Sequence, residues 1–286
     1  MSFIKQQEEM ISSCKRLLED ELVETVVGFG EGGELGKSLP LIVSDVAGAE
    51  KLVWNERCVP TLNGYLLGRT GKTAIVAKPC DARAVVSLIR ENQLKREDVY
   101  IVGLVCEGMT DDNGKPLHGC LDCRVKTPPV YDTLIGGPEP DGNIGIPEKG
   151  PDTSDANFER FIGEMEKCIL CFSCRQSCYG CYCKTCFIDR GEPNWQPATP
   201  DTGAKMLYHL GRAMHLSGRC VECGSCENAC ASGVDIRYLI KNVTNFIDDT
   251  YGYRAGMDLE TEPVMLTFKT DDREIGFLKL GGDADA

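Results

Sequence analysis

The chain has 286 residues, of which 42% are hydrophobic and 26% charged, so it can bury a core and has the composition of a globular protein. A formal net charge of −13 argues against a nucleic-acid partner, and no apolar run is long enough for a membrane span. The 17 cysteines are unusual, and residues 1–21 lack the apolar stretch of a signal peptide. We therefore expect a cytoplasmic, reduced protein that binds metal, since disulfide scaffolds belong to oxidising compartments.

The first part of the chain reads as a helix followed by strands. Apolar spacing predicts a helix over residues 4–20, on which Cys14 is a small buried hydrophobe. A strand over 22–29 runs into a glycine-rich loop, and residues 41–46 are a second candidate strand.

A β-α-β unit comes next. Residues 73–78 form a continuous apolar strand, and Asp81 is a candidate N-cap for a helix over 82–92. A second buried strand covers 99–105. Two such strands joined by a helix pair in parallel, so we predict an α/β domain.

Four cysteines follow this unit in a pattern that predicts a metal site. Cys80 and Cys106 each come just after a strand, where parallel sheets place their sites, and Cys120 and Cys123 form a C-x-x-C pair. We call these four cysteines quartet N. A four-cysteine zinc site, a redox-active C-x-x-C pair and unrelated thiols are the alternatives.

A stretch rich in proline, glycine and aspartate separates this domain from the rest. It covers residues 137–160 and predicts a linker. The α/β domain then corresponds to residues 1–136 and a second module to residues 161–250.

The second module contains two cysteine runs of identical spacing. CILCFSCRQSC at 168–178 and CVECGSCENAC at 220–230 are both C-x-x-C-x-x-C-x-x-x-C. Three thiolates on a short loop reach three corners of a [4Fe-4S] cubane, and the fourth corner needs a thiolate from elsewhere. In two-cluster ferredoxins the fourth cysteine of each run binds the other cluster, which predicts a bacterial-type two-[4Fe-4S] ferredoxin module here.

Crossed ligation divides the eight cysteines into two further quartets. Quartet A is Cys168, Cys171, Cys174 and Cys230. Quartet B is Cys220, Cys223, Cys226 and Cys178.

An insertion over 179–217 separates the two runs. It contains three further thiols, Cys181, Cys183 and Cys186, which we interpret as free thiols; ligation of another cluster and replacement of a predicted ligand are the alternatives. A helix over 201–217 contains His209 and His215, which we interpret as surface or hydrogen-bonded histidines in preference to ligands.

The chain ends with one more predicted helix and a tail. The helix covers residues 234–247. The tail, 251–286, includes the strand-like segment VMLTFKT and is a candidate for docking on a partner subunit.

Two segments also resemble a known family. AIVAKPCDARAVVSLIRENQLKREDVYIVGLVCEGM, followed by GCLDCRVKTPPVYDTLIG, is similar to the beta subunits of deazaflavin-reducing hydrogenases and related formate dehydrogenases. The resemblance implies that quartet N binds a [4Fe-4S] cluster next to a flavin, for which FAD is the candidate. It also implies a diffusible carrier, which is the deazaflavin, a nicotinamide, or ferredoxin through a partner.

The sequence therefore predicts an iron–sulfur electron-transfer subunit with three [4Fe-4S] clusters. No constellation of catalytic acid, base or nucleophile is present, so the chemistry belongs to the cofactors. The expected partner is a hydrogenase, a formate dehydrogenase or a heterodisulfide reductase-like subunit. A pure electron relay without flavin or substrate is the competing hypothesis, and a colourless zinc-stabilised interaction module is a third.

Overall fold

The structure, a computed structural model, describes residues 2–33, 36–138, 153–193, 199–267 and 270. These ranges contain nine α-helices and five β-strands. The helices are α1 (Phe3–Glu19), α2 (Val46–Ala49), α3 (Pro79–Arg90), α4 (His118–Leu121), α5 (Ser154–Lys167), α6 (Ser173–Gln176), α7 (Thr202–His215), α8 (Ser225–Asn228) and α9 (Ile236–Tyr251). The strands are β1 (Thr25–Gly30), β2 (Leu39–Val43), β3 (Thr73–Ala77), β4 (Val99–Leu104) and β5 (Thr133–Ile135).

One mixed sheet organises the N-terminal region, residues 2–138. Its strand order is β2-β1-β3-β4-β5, and only β2 is antiparallel to its neighbour. The predicted β-α-β unit is confirmed, because β3 and β4 pair in parallel from Thr73 opposite Val99 to Ala77 opposite Gly103. Every residue of β3 is buried, as expected of a strand covered on both faces.

The start of α3 differs from the prediction. The helix begins at Pro79, whose fixed φ suits the first helical position, and Lys78 occupies the N-cap. The prediction that Asp81 is the N-cap was wrong. Its carboxylate is fully buried and accepts from the backbone N–H of Leu62 at 3.2 Å and from Asn63 Nδ2 at 3.1 Å.

Lys78 and Asp81 form a buried ion pair, with Nζ and Oδ2 2.9 Å apart. Lys78 Nζ also donates to the carbonyls of Cys58 at 2.9 Å and Pro60 at 2.8 Å. Burial is the largest single effect and lowers the pKa of Lys78, but the charge and hydrogen bond of Asp81, together with Cys80 and Cys58, raise the pKa overall. The pair therefore fastens residues 58–63 to the carboxyl end of β3.

Helix α1 covers the sheet and contributes one polar bridge to the core. Gln6 donates from Nε2 to the carbonyl of Val105 at 3.0 Å and accepts from Trp54 Nε1 at 3.0 Å. Cys14, on the same helix, is fully buried as a small hydrophobe, which confirms that prediction.

The C-terminal region, residues 153–267, is helical. Helices α5, α7 and α9 pack around the two cysteine runs, and their core includes Phe161, Met165, Tyr208, Ile236 and Ile240. Helix α5 begins inside the stretch predicted as a linker, of which residues 139–152 lie outside the described residues.

The segment VMLTFKT is not a strand where the structure describes it. Val264–Leu266 forms one turn of 3₁₀-helix instead. No helix in the described ranges combines the length and the hydropathy needed to cross a membrane.

Helix α3 joins the two regions. Its Ala84 and Leu88 form a small buried cluster with Tyr179 and Val221. At the end of the helix, Glu91 accepts from Arg219 Nε at 2.6 Å and Nη2 at 2.7 Å. The same helix that follows β3 is thus the main support of the C-terminal region.

Replacing Asp81 by Asn tests the buried ion pair. The change leaves the ammonium group of Lys78 buried without a counter-charge, so we expect the free energy of unfolding to fall by about 3 kcal/mol. For a domain of this size that loss lowers the thermal midpoint by roughly 6 °C or more.

The matched control is Glu50→Gln, which removes the partner of Lys15 in an exposed ion pair with Nζ and Oε1 2.6 Å apart. Water replaces the lost contact there, so the midpoint should change little. Thermal unfolding followed by circular dichroism measures both variants, and equal shifts would contradict the role assigned to Asp81.

Candidate metal centres

The structure brings quartet N together at the carboxyl edge of the parallel strands. Cys80 lies in the first turn of α3 just after β3, and Cys106 follows β4. Cys120 is in the short helix α4, and Cys123 comes two residues after that helix. All four side chains line one cavity.

Burial disfavours the ionised form of these thiols. It raises the pKa of Cys106 to about 12 and the pKa of Cys80 well above its usual value, with Asp81 and Cys223 raising the latter further. Burial also raises the pKa of Cys123. The protein alone therefore offers little stabilisation to thiolates at this place. A metal centre deprotonates its thiol ligands, so a bound metal would supply the positive charge that stabilises them.

The distances between the sulfur atoms bear on whether quartet N could hold a single metal ion. A zinc ion holds its thiolates within about 4.6 Å of one another, twice the Zn–S bond length. Within the described ranges, which include every cysteine, the only three metal-ligating side chains found within 4.8 Å of one another are His118, Glu227 and Asp235. No three thiols of quartet N converge to that distance in this structure, and the choice between a zinc ion and a cluster stays a prediction.

The two cysteine runs adopt the same backbone conformation. Leu170 and Phe172 in the first run have φ of 52° and 61°, and Glu222 and Gly224 in the second have 61° and 71°. A positive φ is unfavourable for residues other than glycine and persists where a site requires it. Alternation with right-handed residues makes concave nests of N–H groups, which bind anions, including iron–sulfur centres.

One N–H group in each run points at the sulfur of the first cysteine. The backbone N–H of Leu170 donates to Cys168 Sγ at 3.4 Å, and that of Glu222 donates to Cys220 Sγ at 3.3 Å. Hydrogen bonds of this kind stabilise thiolates, and they raise the reduction potential of a cluster bound by those thiolates.

Quartet A lines a cavity of its own, and α7 supports it. His209 Nε2 lies 3.4 Å from Cys168 Sγ, and Tyr208 Oη lies 3.4 Å from Cys174 Sγ. Burial lowers the pKa of His209 to about 4, so the ring is neutral. His209 is thus a hydrogen-bonded histidine, as interpreted from the sequence, but it is buried beside a predicted ligand.

The four thiols of quartet B lie close enough to influence one another's pKa values. Burial raises the pKa of Cys220 to about 12 and of Cys226 to about 11, and raises that of Cys223 still further. The charge of Cys178 raises the pKa of all three. The geometry is compatible with crossed ligation, which stays a prediction.

The three extra cysteines lie beside quartet B. Cys181 is within hydrogen-bonding range of Cys178 and is the main reason why the pKa of Cys178 is lowered. Together with Cys183 and Cys186 it lines an open cavity of about 820 Å³. Free thiols and replacement of Cys178 by Cys181 as a ligand both remain compatible with this arrangement.

Quartet N and quartet B are adjacent. Cys223 lines the quartet N cavity, and two glycines allow the loops to approach, since a Cβ placed on Gly119 would lie 3.3 Å from Gly224 Cα. Asp122, between the two cysteines of the C-x-x-C pair, is bound by Arg237 at 2.6 Å and by Lys241. Helix α9 thereby fixes the loop that contributes half of quartet N.

Two buried arginines were missed by the sequence analysis. Arg83 and Arg212 are each 3% exposed. Arg83 Nη2 and Arg212 Nε and Nη1 have no hydrogen-bond partner among the described residues, although buried donors are almost always paired. The thiolates and sulfides of a cluster supply the missing acceptors, so these orphaned groups fit anionic iron–sulfur centres. Both lie opposite the apolar positions of their predicted helices, so the sequence pattern contains no signal that they are buried.

A further cavity of about 670 Å³ lies where the two regions meet. It shares Val59, Thr61, Leu117 and Asn228 with the quartet N cavity. Its volume is within the range of small-molecule and cofactor sites, and it lies at the carboxyl edge of the parallel strands.

Known proteins resemble this chain over most of its length. The F420-dependent formate dehydrogenase subunit beta of Methanocaldococcus jannaschii is 22% identical, with 87% of this chain and 92% of that protein aligned. The chain is a relative of these beta subunits. The F420-dependent formate dehydrogenase 1 subunit beta of Methanococcus maripaludis is 21% identical, over 88% of this chain and 91% of that protein. No family model matches. F420 is a deazaflavin, so the resemblance inferred from the sequence is confirmed.

Crossed ligation can be tested in this beta-subunit relative by comparing neighbouring cysteines. The electron paramagnetic resonance signal lost in Cys178→Ser should be the one lost in Cys220→Ser, because both belong to quartet B. The matched control Cys181→Ser should keep every signal. If Cys178→Ser instead loses the signal that Cys168→Ser loses, or Cys181→Ser behaves as predicted for Cys178→Ser, the crossing through Cys178 is wrong.

Quartet N can be tested through its C-x-x-C pair. Cys120→Ser or Cys123→Ser should lose about four irons per chain, since one cubane is lost. Metal binding orders its ligands, so limited proteolysis should cut the 107–136 loop faster, while the signals of quartets A and B remain. Cys14→Ala, which changes a buried thiol that lines neither the quartet N nor the quartet A cavity, should keep its full iron content. A Cys120→Ser protein with unchanged iron would remove quartet N as a cluster site.

Proposed function

We propose that this chain is the iron–sulfur electron-transfer subunit of a multi-subunit oxidoreductase. The observation that carries the proposal is the contiguity of the three quartets. Cys223 of quartet B lines the quartet N cavity, and the charge of Arg212 acts on thiols of both quartet B and quartet A. The quartets therefore form a series, N to B to A, that runs from the sheet into the helical region.

The protein positions the three quartets, shields them from water and surrounds them with groups that stabilise negative charge. Each [4Fe-4S] cluster, when bound, carries one electron at a time. Apart from the exposed Cys171, the quartet cysteines are buried or partly buried. The nests of N–H groups stabilise negative charge, and α3 and α9 hold the two regions together so that distances between the quartets stay fixed.

The cavity where the two regions meet is the proposed flavin site. A flavin, such as FAD, exchanges a pair of electrons carried as hydride for single electrons. Thr61 and Ser225, whose hydroxyl oxygens are 3.2 Å apart, line this cavity together with Tyr65 and offer hydrogen bonds to a cofactor. Lys37, which also lines it, is paired with Asp112 at 3.4 Å. Because this cavity and the quartet N cavity share lining residues, electrons could pass from the flavin to the quartet N cluster over a short distance.

The carrier and the partner follow from the relatives. Both are named as F420-dependent formate dehydrogenase beta subunits, so F420 is the proposed carrier and a formate-oxidising subunit the proposed partner. The partner would cover the outer face of the C-terminal region near quartet A, where large apolar side chains are exposed. These are Ile169, Leu207, Leu210 and Met214.

One observation favours the alternative, a relay without flavin. Gly28, Gly30 and Gly33 have the G-x-G-x-x-G spacing, but they lead from β1 into the antiparallel strand β2. The dinucleotide-binding turn needs a helix at that place, with its N-terminus on the phosphates. This glycine-rich loop is therefore not a phosphate cradle of that type.

Anaerobic purification with its partner subunits tests the proposal. We expect about twelve irons in this chain, four for each of three cubanes, together with bound flavin and reduction of F420 by formate. About eight irons would remove quartet N, absence of flavin would select the relay, and stoichiometric zinc without iron would overturn the proposal.

A further inference from the structure

We propose that Arg83 and Arg212 are the fixed positive charges of the two junctions between clusters, each favouring the reduced form of the two clusters that it separates. The inference rests on the proposed function, because it requires the three clusters. It assigns a role to the two buried cations that neither the cysteine pattern nor the relatives identify.

Arg83 lies at the junction of quartets N and B. It belongs to α3, one turn after Cys80, and its guanidinium lines the quartet N cavity together with Cys223. Nε donates to the carbonyl of Ala255 at 3.0 Å and Nη1 to that of Val221 at 3.2 Å, both in the C-terminal region. The backbone of Arg83 also packs against Gly256, whose φ of 72° and lack of a side chain allow the contact.

Arg212 lies at the junction of quartets B and A. It belongs to α7, and Nη2 donates to the carbonyl of Cys174, a quartet A residue, at 3.0 Å. Its guanidinium also lies beside the thiols of Cys226 and Cys178, which belong to quartet B. One guanidinium thus serves both quartets.

The other two buried cations have carboxylate partners, which makes these arginines distinctive. Lys78 pairs with Asp81 at 2.9 Å and Arg237 with Asp122 at 2.6 Å. No carboxylate of the described residues pairs with Arg83 or Arg212. Arg83 donates to two backbone carbonyls, whereas Arg212 donates to the carbonyl of Cys174 and lies beside the thiols of Cys178 and Cys226. A buried cation without a counter-charge is costly, and an anionic cluster on each side is the partner that offsets the cost.

The consequence is electrochemical. Reduction adds one negative charge to a cluster, and a nearby positive charge in a low-dielectric interior stabilises the added charge. Each arginine therefore raises the reduction potentials of its two neighbours together. Both arginines raise the potential of the quartet B cluster, whereas Arg83 acts mainly on the quartet N cluster and Arg212 mainly on the quartet A cluster.

The test is a redox titration of each cluster in the full chain, purified anaerobically, in the variants Arg83→Gln and Arg212→Gln. We expect Arg83→Gln to disfavour one-electron reduction at quartets N and B by about tenfold, or about 60 mV. Arg212→Gln should produce a shift of the same size and direction at quartets A and B. The third cluster should stay within experimental error in each variant.

Two controls separate charge from structure. Arg83→Lys and Arg212→Lys keep the charge and should keep the potentials. Arg90→Gln removes an arginine of the same helix that donates to the carbonyl of Leu259 at 2.9 Å but is not among the residues lining a cysteine cavity. It should leave all three potentials unchanged.

Every outcome decides the matter. Unchanged potentials in the Gln variants, or an equal shift of all three clusters, would overturn the inference. If the Gln variants lose iron, the Lys variants decide. Retained iron with retained potentials supports the inference, whereas lost iron or shifted potentials in the Lys variants would overturn it. Failure of the proposed function is recognised separately, by a wild-type protein that contains no clusters.

Discussion

The burial of thiols in a protein interior that offers them few counter-charges is the constraint on which the rest of the structure depends. Desolvation raises the pKa of Cys80 and Cys223 well above the usual value, and two buried arginines lack carboxylate partners among the described residues. Neither the thiols nor the arginines gain stability from this arrangement alone. An iron–sulfur centre ionises the thiols and supplies acceptors to the arginines, so we expect folding of these regions to be coupled to assembly of the clusters.

The parallel sheet and the helical region contribute to this arrangement in different ways. The sheet positions Cys80 and Cys106 through the strand ends of β3 and β4, which are rigid before any metal arrives. The C-x-x-C loop bonds to the segment that follows β4, where the N–H of Cys106 donates to the carbonyl of Lys126 at 3.0 Å. It is also fixed from the opposite side, by the bonds of Arg237 and Lys241 to Asp122. Docking of the two regions therefore helps to fix the C-x-x-C half of quartet N.

The two cysteine runs have the same spacing but different surroundings. Both adopt the same alternation of positive and negative φ, so the local anion-binding geometry is shared. Their surroundings differ, because α7 brings His209 and Tyr208 to quartet A, whereas quartet B lies between the arginines and next to quartet N. Identical loops in different environments can hold clusters of different potential, as a directional series requires.

The sequence by itself determined the features that depend on local spacing. The β-α-β unit follows from apolar strands around a helix, and the equivalence of the two runs follows from the cysteine spacing. The four cysteines of quartet N were placed together because parallel strands end at one edge. Local patterns report on the backbone nearby, and these features are all built from short segments.

Only the tertiary structure decided the partners of buried charges. Asp81 has the sequence position of an N-cap, yet residues 18 and 19 positions away supply its hydrogen bonds. The bond from Arg83 to Val221 spans 138 residues, and no local pattern records it. The segment VMLTFKT has the composition of a strand but pairs with no strand in the described ranges, so a 3₁₀ turn forms instead. Burial and charge compensation arise from contacts between distant segments, and for that reason the junctions between the quartets became visible only once the chain was folded.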